Sequence, residues 1–139
     1  MKTIIDIRKI RYLNLFEKIT GIRGMDCFFY NNMVYFAVLP QDIFRAIGKD
    51  SENLKKLSNV IERKIRVIAY PSKLKEAPKF ILQLIVPLEL KNITINGKEI
   101  IIEAGSREAK ALLMGRDKKK LEELEDIIKS FFGCELKVL

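Results

Sequence analysis

The chain has 139 residues, a formal net charge of +8 and 48% hydrophobic residues. This length suits one ordinary domain or two very small ones, and the composition is that of a folded protein rather than a disordered tail. No apolar run approaches the ~20 residues that a membrane-spanning helix needs. The first residues carry an early charge and no signal-peptide cleavage site, so we expect a cytoplasmic protein without membrane association.

The chain contains no histidine and only two cysteines, Cys27 and Cys134. Ser-His and Cys-His catalytic pairs are therefore excluded, and a zinc site would lack ligands. Both cysteines lie in apolar stretches predicted as strands, so we expect buried, reduced thiols. An acidic cluster in the last predicted helix suggests a magnesium site or an acid-base pair, but its spacing favours a solvated helix face. Its members are Glu122, Glu123, Glu125 and Asp126. We predict no enzyme activity, no metal and no cofactor.

The first half of the chain predicts the order helix, strand, strand, helix, helix, strand. Apolar residues recur every three positions from Ile7 to Ile19, and Gly21 then supplies a helix C-cap. Two aromatic and β-branched segments flank Asn31-Asn32, a pair that tolerates positive φ in a hairpin turn. The later elements are strands Met25–Tyr30 and Met33–Leu39, helix Gln41–Ile47, a longer helix with Leu54, Leu57, Val60 and Ile61 on its inner face, and strand Ile65–Tyr70.

The second half predicts the same order after a short linker at residues 70–75. Pro78 suits the first turn of a helix, and Asn96-Gly97 is a strong hairpin signal. The predicted elements are a helix through Phe80–Val86, strands Leu88–Ile95 and Glu99–Glu103, helices Arg107–Met114 and Lys118–Phe132, and strand Cys134–Leu139.

An internal repeat with an offset of 67 residues relates the two halves. Gly48 matches Gly115 and Asp50 matches Asp117, and apolar residues of the following helices match as well. The repeat predicts an α+β fold of two tandem domains, residues 1–72 and 73–139, each with a three-stranded sheet packed against helices. The first domain is the more basic, because it carries 13 basic and 7 acidic side chains against 13 and 11 in the second.

The best candidate for chemistry is the loop between the two central helices of each copy. It reads Gly48-Lys49-Asp50-Ser51 in the first copy and Gly115-Arg116-Asp117-Lys118 in the second. Because this loop joins helix to helix, it is neither a P-loop nor a dinucleotide fingerprint, which both follow a strand. Glycine permits close approach of a phosphate, and a helix N-terminus offers N–H groups, so the pattern indicates a clamp for a phosphodiester backbone. The structural alternative is a glycine C-cap followed by an Asp N-cap, and duplication of the loop favours the clamp.

Electrostatics give a second signal. Lys118, Lys119 and Lys120 lie in the predicted first turn of a helix, where the macrodipole favours acidic side chains. An anionic partner would explain these cations, and lysines extended into solvent are the alternative.

The repeated pattern resembles a known family. The α-β-β-α-α-β order with an Ile-Gly helix-loop-helix resembles the type II KH domain, and two in tandem resemble the archaeal NusA-like transcription factors. Segments Leu15–Cys27 and Phe44–Lys49 are the most similar. The resemblance implies a monomeric, non-catalytic protein that binds single-stranded RNA and acts in transcription elongation, termination or antitermination, with RNA polymerase as a further partner. The chain departs from the usual Gly-x-x-Gly loop, because Ser51 and Lys118 stand where the last glycine belongs.

The resemblance also implies which residues contact RNA. We expect these to be Arg45, Ile47, Gly48, Lys49, Asp50, Ser51, Lys55, Gly115, Arg116, Asp117, Lys118 and Lys119. Apolar side chains beside the loops would line the groove, namely Ile47, Leu54, Val67, Met114, Leu121 and Leu136, although pattern alone favours core positions for them. The alternative function is a degenerate KH scaffold that docks on RNA polymerase or ribosomal proteins with little RNA contact. Basic loops favour RNA binding, because a pure scaffold does not need them.

Overall fold

A computed structural model describes residues 6–139. The chain divides into two compact units, the first ending at Tyr70 and the second beginning at Pro71. Each unit has the element order helix, strand, strand, helix, helix, strand. The first unit contains α1 (Ile7–Thr20), β1 (Asp26–Tyr30), β2 (Met33–Val38), α2 (Ile43–Ile47), α3 (Glu52–Ile61) and β3 (Ile65–Ala69). The second contains α4 (Ala77–Ile85), β4 (Asn92–Asn96), β5 (Glu99–Glu103), α5 (Arg107–Met114), α6 (Lys119–Phe132) and β6 (Glu135–Val138). The α+β class is confirmed.

Each unit has one mixed three-stranded sheet. In the first, β1 pairs with β2 antiparallel and β2 pairs with β3 parallel, so β2 is the central strand. In the second, β5 is central in the same way, with β4 antiparallel and β6 parallel to it. A parallel neighbour requires a crossover connection, and the helix pair of each unit supplies it.

The core of the first unit forms where α1, α2 and α3 cover one face of its sheet. Phe16 of α1 stacks on Phe36 of β2 with ring centroids 4.4 Å apart. Ala46 and Leu57 from α2 and α3 are fully buried in the same cluster, as is Cys27. Burial raises the pKa of the Cys27 thiol to about 12. Both cysteines are buried and reduced, as predicted.

The core of the second unit combines buried residues of α4, β5, α5 and α6. Ile100 and Ile102 of β5 are fully buried, as are Leu113 and Leu124 of the last two helices. The ring of Phe80 in α4 lies 4.9 Å from that of Phe131 in α6, measured between centroids. In residues 6–139 no helix has the length and apolar character needed to cross a membrane.

Local signals predicted several of the element ends. Gly21 has a left-handed backbone, and its N–H donates a hydrogen bond to Glu17 O. It therefore ends α1 as expected. Asn31 and Asn32 both have positive φ in the first hairpin turn. Pro78 lies in the first turn of α4. Hairpin and cap signals act through local backbone sterics, and they are therefore readable from sequence.

Several predicted spans need correction. The strand predicted at Met25–Tyr30 begins at Asp26, the strands predicted to Leu39 and Tyr70 end at Val38 and Ala69, and the helix predicted through Val86 ends at Ile85. The strand predicted at Leu88–Ile95 is β4, which begins only at Asn92, because its partner β5 ends at Glu103 and pairs no further. The helix predicted at Gln41–Ile47 is a 3-10 turn, Pro40–Asp42, followed by the short α2. The helix predicted from Lys118 begins at Lys119, and the strand predicted from Cys134 begins at Glu135.

The inner face predicted for the longer helix of the first unit is wrong at one position. Leu57 is fully buried and Leu54 and Ile61 pack against the core, but Val60 is 61% exposed. The two repeat copies also differ in length here, since α3 has 10 residues and α6 has 14. The added turn lies at the C-terminal end of α6, so the loop ends of both helices keep the offset of 67 residues.

Candidate nucleic-acid interface

The two helix-to-helix loops follow the same backbone path. Each begins with a glycine that ends the preceding helix, and two residues with positive φ then lead into the next helix. The matched (φ, ψ) pairs are Gly48 (81°, 167°) and Gly115 (74°, 179°), Asp50 (52°, 34°) and Asp117 (54°, 29°), and Ser51 (59°, 27°) and Lys118 (59°, 19°). The loop geometry is therefore repeated although only the glycine and the aspartate are shared.

The first glycine of each loop is required by its surroundings. A φ near +80° with ψ near 180° is a region that essentially only glycine enters. A Cβ on Gly48 would lie 2.9 Å from Asn53 Nδ2, and one on Gly115 would lie 2.8 Å from Lys120 Cγ. Asn53 and Lys120 are equivalent under the repeat. The glycines thus allow the second residue of the following helix to pack against the loop.

The last position of each loop retains a conformation suited to glycine. Ser51 and Lys118 both have left-handed backbones and directly precede α3 and α6. A Gly-x-x-Gly loop would place a glycine there, and Ser51 and Lys118 adopt nearly the same left-handed backbone as each other. The side chain at this position costs about 1 kcal/mol of strain relative to glycine.

The alternative of an Asp N-cap is wrong in both loops. Asp50 and Asp117 lie inside the loop with left-handed backbones, and the cap positions are occupied by Ser51 and Lys118. Neither cap residue makes a side-chain hydrogen bond to its helix. The side chains of the cap residues therefore leave the N–H groups of these helix ends unoccupied.

Main-chain hydrogen bonds hold both loops in the same way. Gly48 N–H donates to Phe44 O and Gly115 N–H to Ala111 O, each at 3.0 Å. Within the loop, the N–H of the last residue donates to the carbonyl of the glycine at 3.2 Å in both copies. The first loop has an extra support, because Asn53 Nδ2 donates to Arg45 O at 3.3 Å and Ala46 O at 3.1 Å.

The predicted basic residues are exposed around the loops. They are Arg45, Lys49, Lys55, Arg116, Lys118 and Lys119. Within residues 6–139 Arg45 alone of these forms an ion pair, with Asp42 at 3.2 Å. Lys118 belongs to the loop rather than to the first helical turn, which leaves Lys119 and Lys120 in that turn. Each loop therefore exposes basic side chains beside one aspartate, Asp50 or Asp117.

The predicted groove residues are neither buried nor fully exposed. Ile47, Leu54 and Val67 are half-buried in the first unit, as are Met114, Leu121 and Leu136 in the second. Leu54 and Val67 also pack against the core of their unit. An open depression lies along the outer side of α3, lined by Lys49, Asp50, Glu52, Lys55, Lys56 and Asn59. Two residues of the first loop, Lys49 and Asp50, thus line this charged depression.

Sequence reasoning missed one residue at the first loop. Phe44 is 87% exposed on α2, one turn before Gly48. Its neighbours Ile43 and Ala46 pack toward the core, so helical spacing already placed Phe44 on the outer side. From the sequence, Phe44 was named only within the Phe44–Lys49 segment and given no role, and this spacing was the signal that could have identified it as exposed.

Comparison with known proteins places the chain near one group of archaeal proteins. It is 31% identical over 104 residues to the probable transcription termination protein NusA of Methanococcus vannielii, covering 73% of this chain and 58% of that protein. It is 28% identical over 132 residues to the protein of that name from Methanocaldococcus jannaschii, covering 92% and 70%. A Halococcus morrhuae protein of the same name is 23% identical over 124 residues, covering 88% and 87%.

The chain resembles archaeal NusA proteins, as its sequence predicted. It spans 58% of the length of the Methanococcus relative. No family model matches the chain. Among solved structures, the crystal structure of APE1850 covers 97% of this chain and all of its own, with a TM-score of 0.63 and 24% sequence identity. This likeness supports the fold.

Proposed function

We propose that the two units are tandem type II KH domains and that the protein binds single-stranded RNA during transcription elongation, termination or antitermination. The observation that carries this proposal is the loop geometry shared by both units, with exposed cations around each loop. The relatives' name, probable transcription termination protein NusA, supports the link to transcription. The proposed partners are RNA and RNA polymerase, and no catalytic reaction is proposed.

The binding mode follows from the loop. A phosphate approaches the loop backbone beside Gly48 or Gly115, while Lys49 or Arg116 supplies the charge. Uncapped N-termini of α3 and α6 offer further N–H groups. The bases then lie over the half-buried apolar residues beside the loop. KH domains bind about four nucleotides each, so two copies suggest a site of about eight.

The experiment is a titration of the full chain with single-stranded RNA pools of increasing length, and with duplex RNA, at two salt concentrations. We expect tighter binding of single strands, and affinity that rises with length up to about eight nucleotides. Each phosphate contact contributes about −0.7 to the log-log salt slope, so Lys49→Ala with Arg116→Ala should make the slope shallower by about 1.4.

A matched control removes the same charge far from the loops. Lys64 and Lys98 are both exposed. Lys64 lies between the C-terminal end of α3 and β3. Lys98 lies in the turn between β4 and β5, where its carbonyl accepts from the N–H of Glu135, just after the C-terminal end of α6. The double variant Lys64→Ala with Lys98→Ala should keep the original slope. Equal affinity for duplex and single strand, or equal slopes for the two double variants, would contradict the proposal and favour a protein-docking scaffold.

A further inference from the structure

Phe44 differs from every other aromatic residue of the described chain. The sequence contains eight phenylalanines, four tyrosines and no tryptophan. Within residues 6–139 Phe44 is the only aromatic residue among the exposed large hydrophobics, and at 87% it is the most exposed of them. Single exposed apolar residues are common on protein surfaces, so exposure alone assigns no role. The position of Phe44 relative to the loop supplies the second observation.

Phe44 lies on α2, the helix that directly precedes the first loop. Its carbonyl accepts the hydrogen bond from Gly48 N–H at 3.0 Å, so its side chain stands one helical turn from the glycine where the phosphate would approach. Ile47, three residues on, is half-buried on the neighbouring part of the same helix surface. The ring thus adds an exposed apolar group one helical turn before the loop.

Basic residues lie close to Phe44 in the chain. The side chain of Arg45, the next residue, is 72% exposed and pairs at 3.2 Å with Asp42 of the 3-10 turn before α2. Lys49 follows Gly48 directly and is exposed. An exposed aromatic ring with basic residues close to it in the chain suits an unpaired nucleobase with its flanking phosphates. The second unit has no such arrangement, since the residues equivalent to Phe44 and Arg45 under the repeat are Ala111 and Leu112.

We propose that Phe44 stacks on one unpaired base of the RNA strand next to the nucleotides held by the first loop. This inference rests on the proposed function and adds a contact that the second unit lacks. The site of the first unit is therefore longer by about one nucleotide, and the first unit binds RNA more tightly than the second. Stacking tolerates any base, because every base has a π-face.

The test uses Phe44→Trp, which introduces the only tryptophan of the chain. Single-stranded RNA should quench its fluorescence, and duplex RNA should not, because paired bases are unavailable for stacking. Val60→Trp is the matched control, since Val60 is 61% exposed on α3 and lies away from the loop. Its fluorescence should change little when RNA binds.

Affinity measurements complete the test. Phe44→Ala should weaken binding by roughly 5- to 100-fold, with an unchanged salt slope because no charge is lost. Phe44→Tyr should bind as the original chain does, and Val60→Ala should leave affinity unaltered. Circular dichroism should show the original fold for each variant, because both side chains are largely exposed.

The outcomes separate this inference from the proposed function. If Phe44→Ala binds within twofold of the original chain and the tryptophan at position 44 is not quenched, while Lys49→Ala still weakens binding, the stacking contact is wrong and RNA binding stands. If the original chain binds no single-stranded RNA, both proposals fail. If Phe44→Ala loses binding to RNA polymerase while its RNA affinity is unchanged, the stacking contact is also wrong, and the ring contacts the polymerase instead.

Discussion

Lys118 offers a direct test of the second loop, because stability and RNA affinity should respond to its substitution differently. The residue has φ 59° and ψ 19°, a left-handed backbone that costs an L-amino acid about 1–2 kcal/mol. Glycine avoids this cost but gains about 0.5–1 kcal/mol of flexibility in the unfolded chain. Lys118→Gly should therefore stabilise the protein by about 0.5–1 kcal/mol, and Ser51→Gly should do the same in the first loop.

RNA affinity should instead depend on the charge at position 118 and on how closely the RNA can approach the loop backbone. Lys118→Gly removes one cation and opens the backbone, so we expect a modest net change in affinity. Lys118→Glu places a second anion beside Asp117 where the phosphate would lie, and affinity should fall by tenfold or more, which is about 1.4 kcal/mol. Folding should tolerate Glu, since it keeps the same backbone cost and interacts favourably with the N-terminus of α6 by about 0.3–1 kcal/mol.

Urea denaturation followed by circular dichroism gives the stabilities, and titration with single-stranded RNA gives the affinities. Lys98→Glu is the control, because it makes the same charge change beyond the far end of α6. Equal loss of affinity for Lys118→Glu and Lys98→Glu would refute a clamp in the second loop and assign that unit a structural or protein-docking role. If neither glycine variant raises stability, the strain argument is wrong.

Two further predictions concern stability. Gly48→Ala and Gly115→Ala should each destabilise the protein by about 1–3 kcal/mol in urea denaturation. Gly48→Ala should cost more, because its Cβ would meet an Asn53 amide fixed by two hydrogen bonds, whereas that of Gly115 would meet the flexible Lys120 side chain. Gly133→Ala is the control and should cost less, because no atom lies within 4 Å of its Cβ. Cys27 has its pKa raised from 9.0 to about 12 by burial, so the unfolded thiol ionises first and stability should fall as the pH rises from about 9 toward 12. At pH 10.5 this loss should be about 1–2 kcal/mol relative to pH 8, and Cys27→Ala should lack that part of the pH dependence; identical pH dependence in the two proteins would contradict it.

Local signals explain why the element order was predictable. Glycine caps, an Asn-Asn turn and a helix-starting proline act within a few residues, and they set the ends of α1, the first hairpin and α4. The start of β4 was not predictable in this way, because the end of a different strand limits its pairing. Periodicity also predicted a buried Val60, although the covering elements leave that part of α3 exposed.

The candidate site was predictable in position and not in conformation. Repetition of glycine and aspartate located both loops, and the flanking cations are exposed as their residue types suggest. The left-handed backbones of Asp50 and Ser51 were not predictable, since a side chain normally disfavours that region. Asp and Ser next to a helix start suggest caps by propensity, and the geometry of the loop overrides this preference in the first unit.

The strain in the two loops is itself an argument about function. Four residues other than glycine hold left-handed backbones there, namely Asp50, Ser51, Asp117 and Lys118. Together they cost on the order of 4 kcal/mol, a large share of the free energy of unfolding of a small domain. A turn needed only to connect two helices would lower this cost with a glycine at one of these positions. Both copies keep the same path with different side chains, in the first supported by Asn53 and in the second packed against Lys120. The proposed phosphate clamp would account for a path that both copies share, because a ligand that approaches the main chain depends on the backbone path rather than on the side chains that support it.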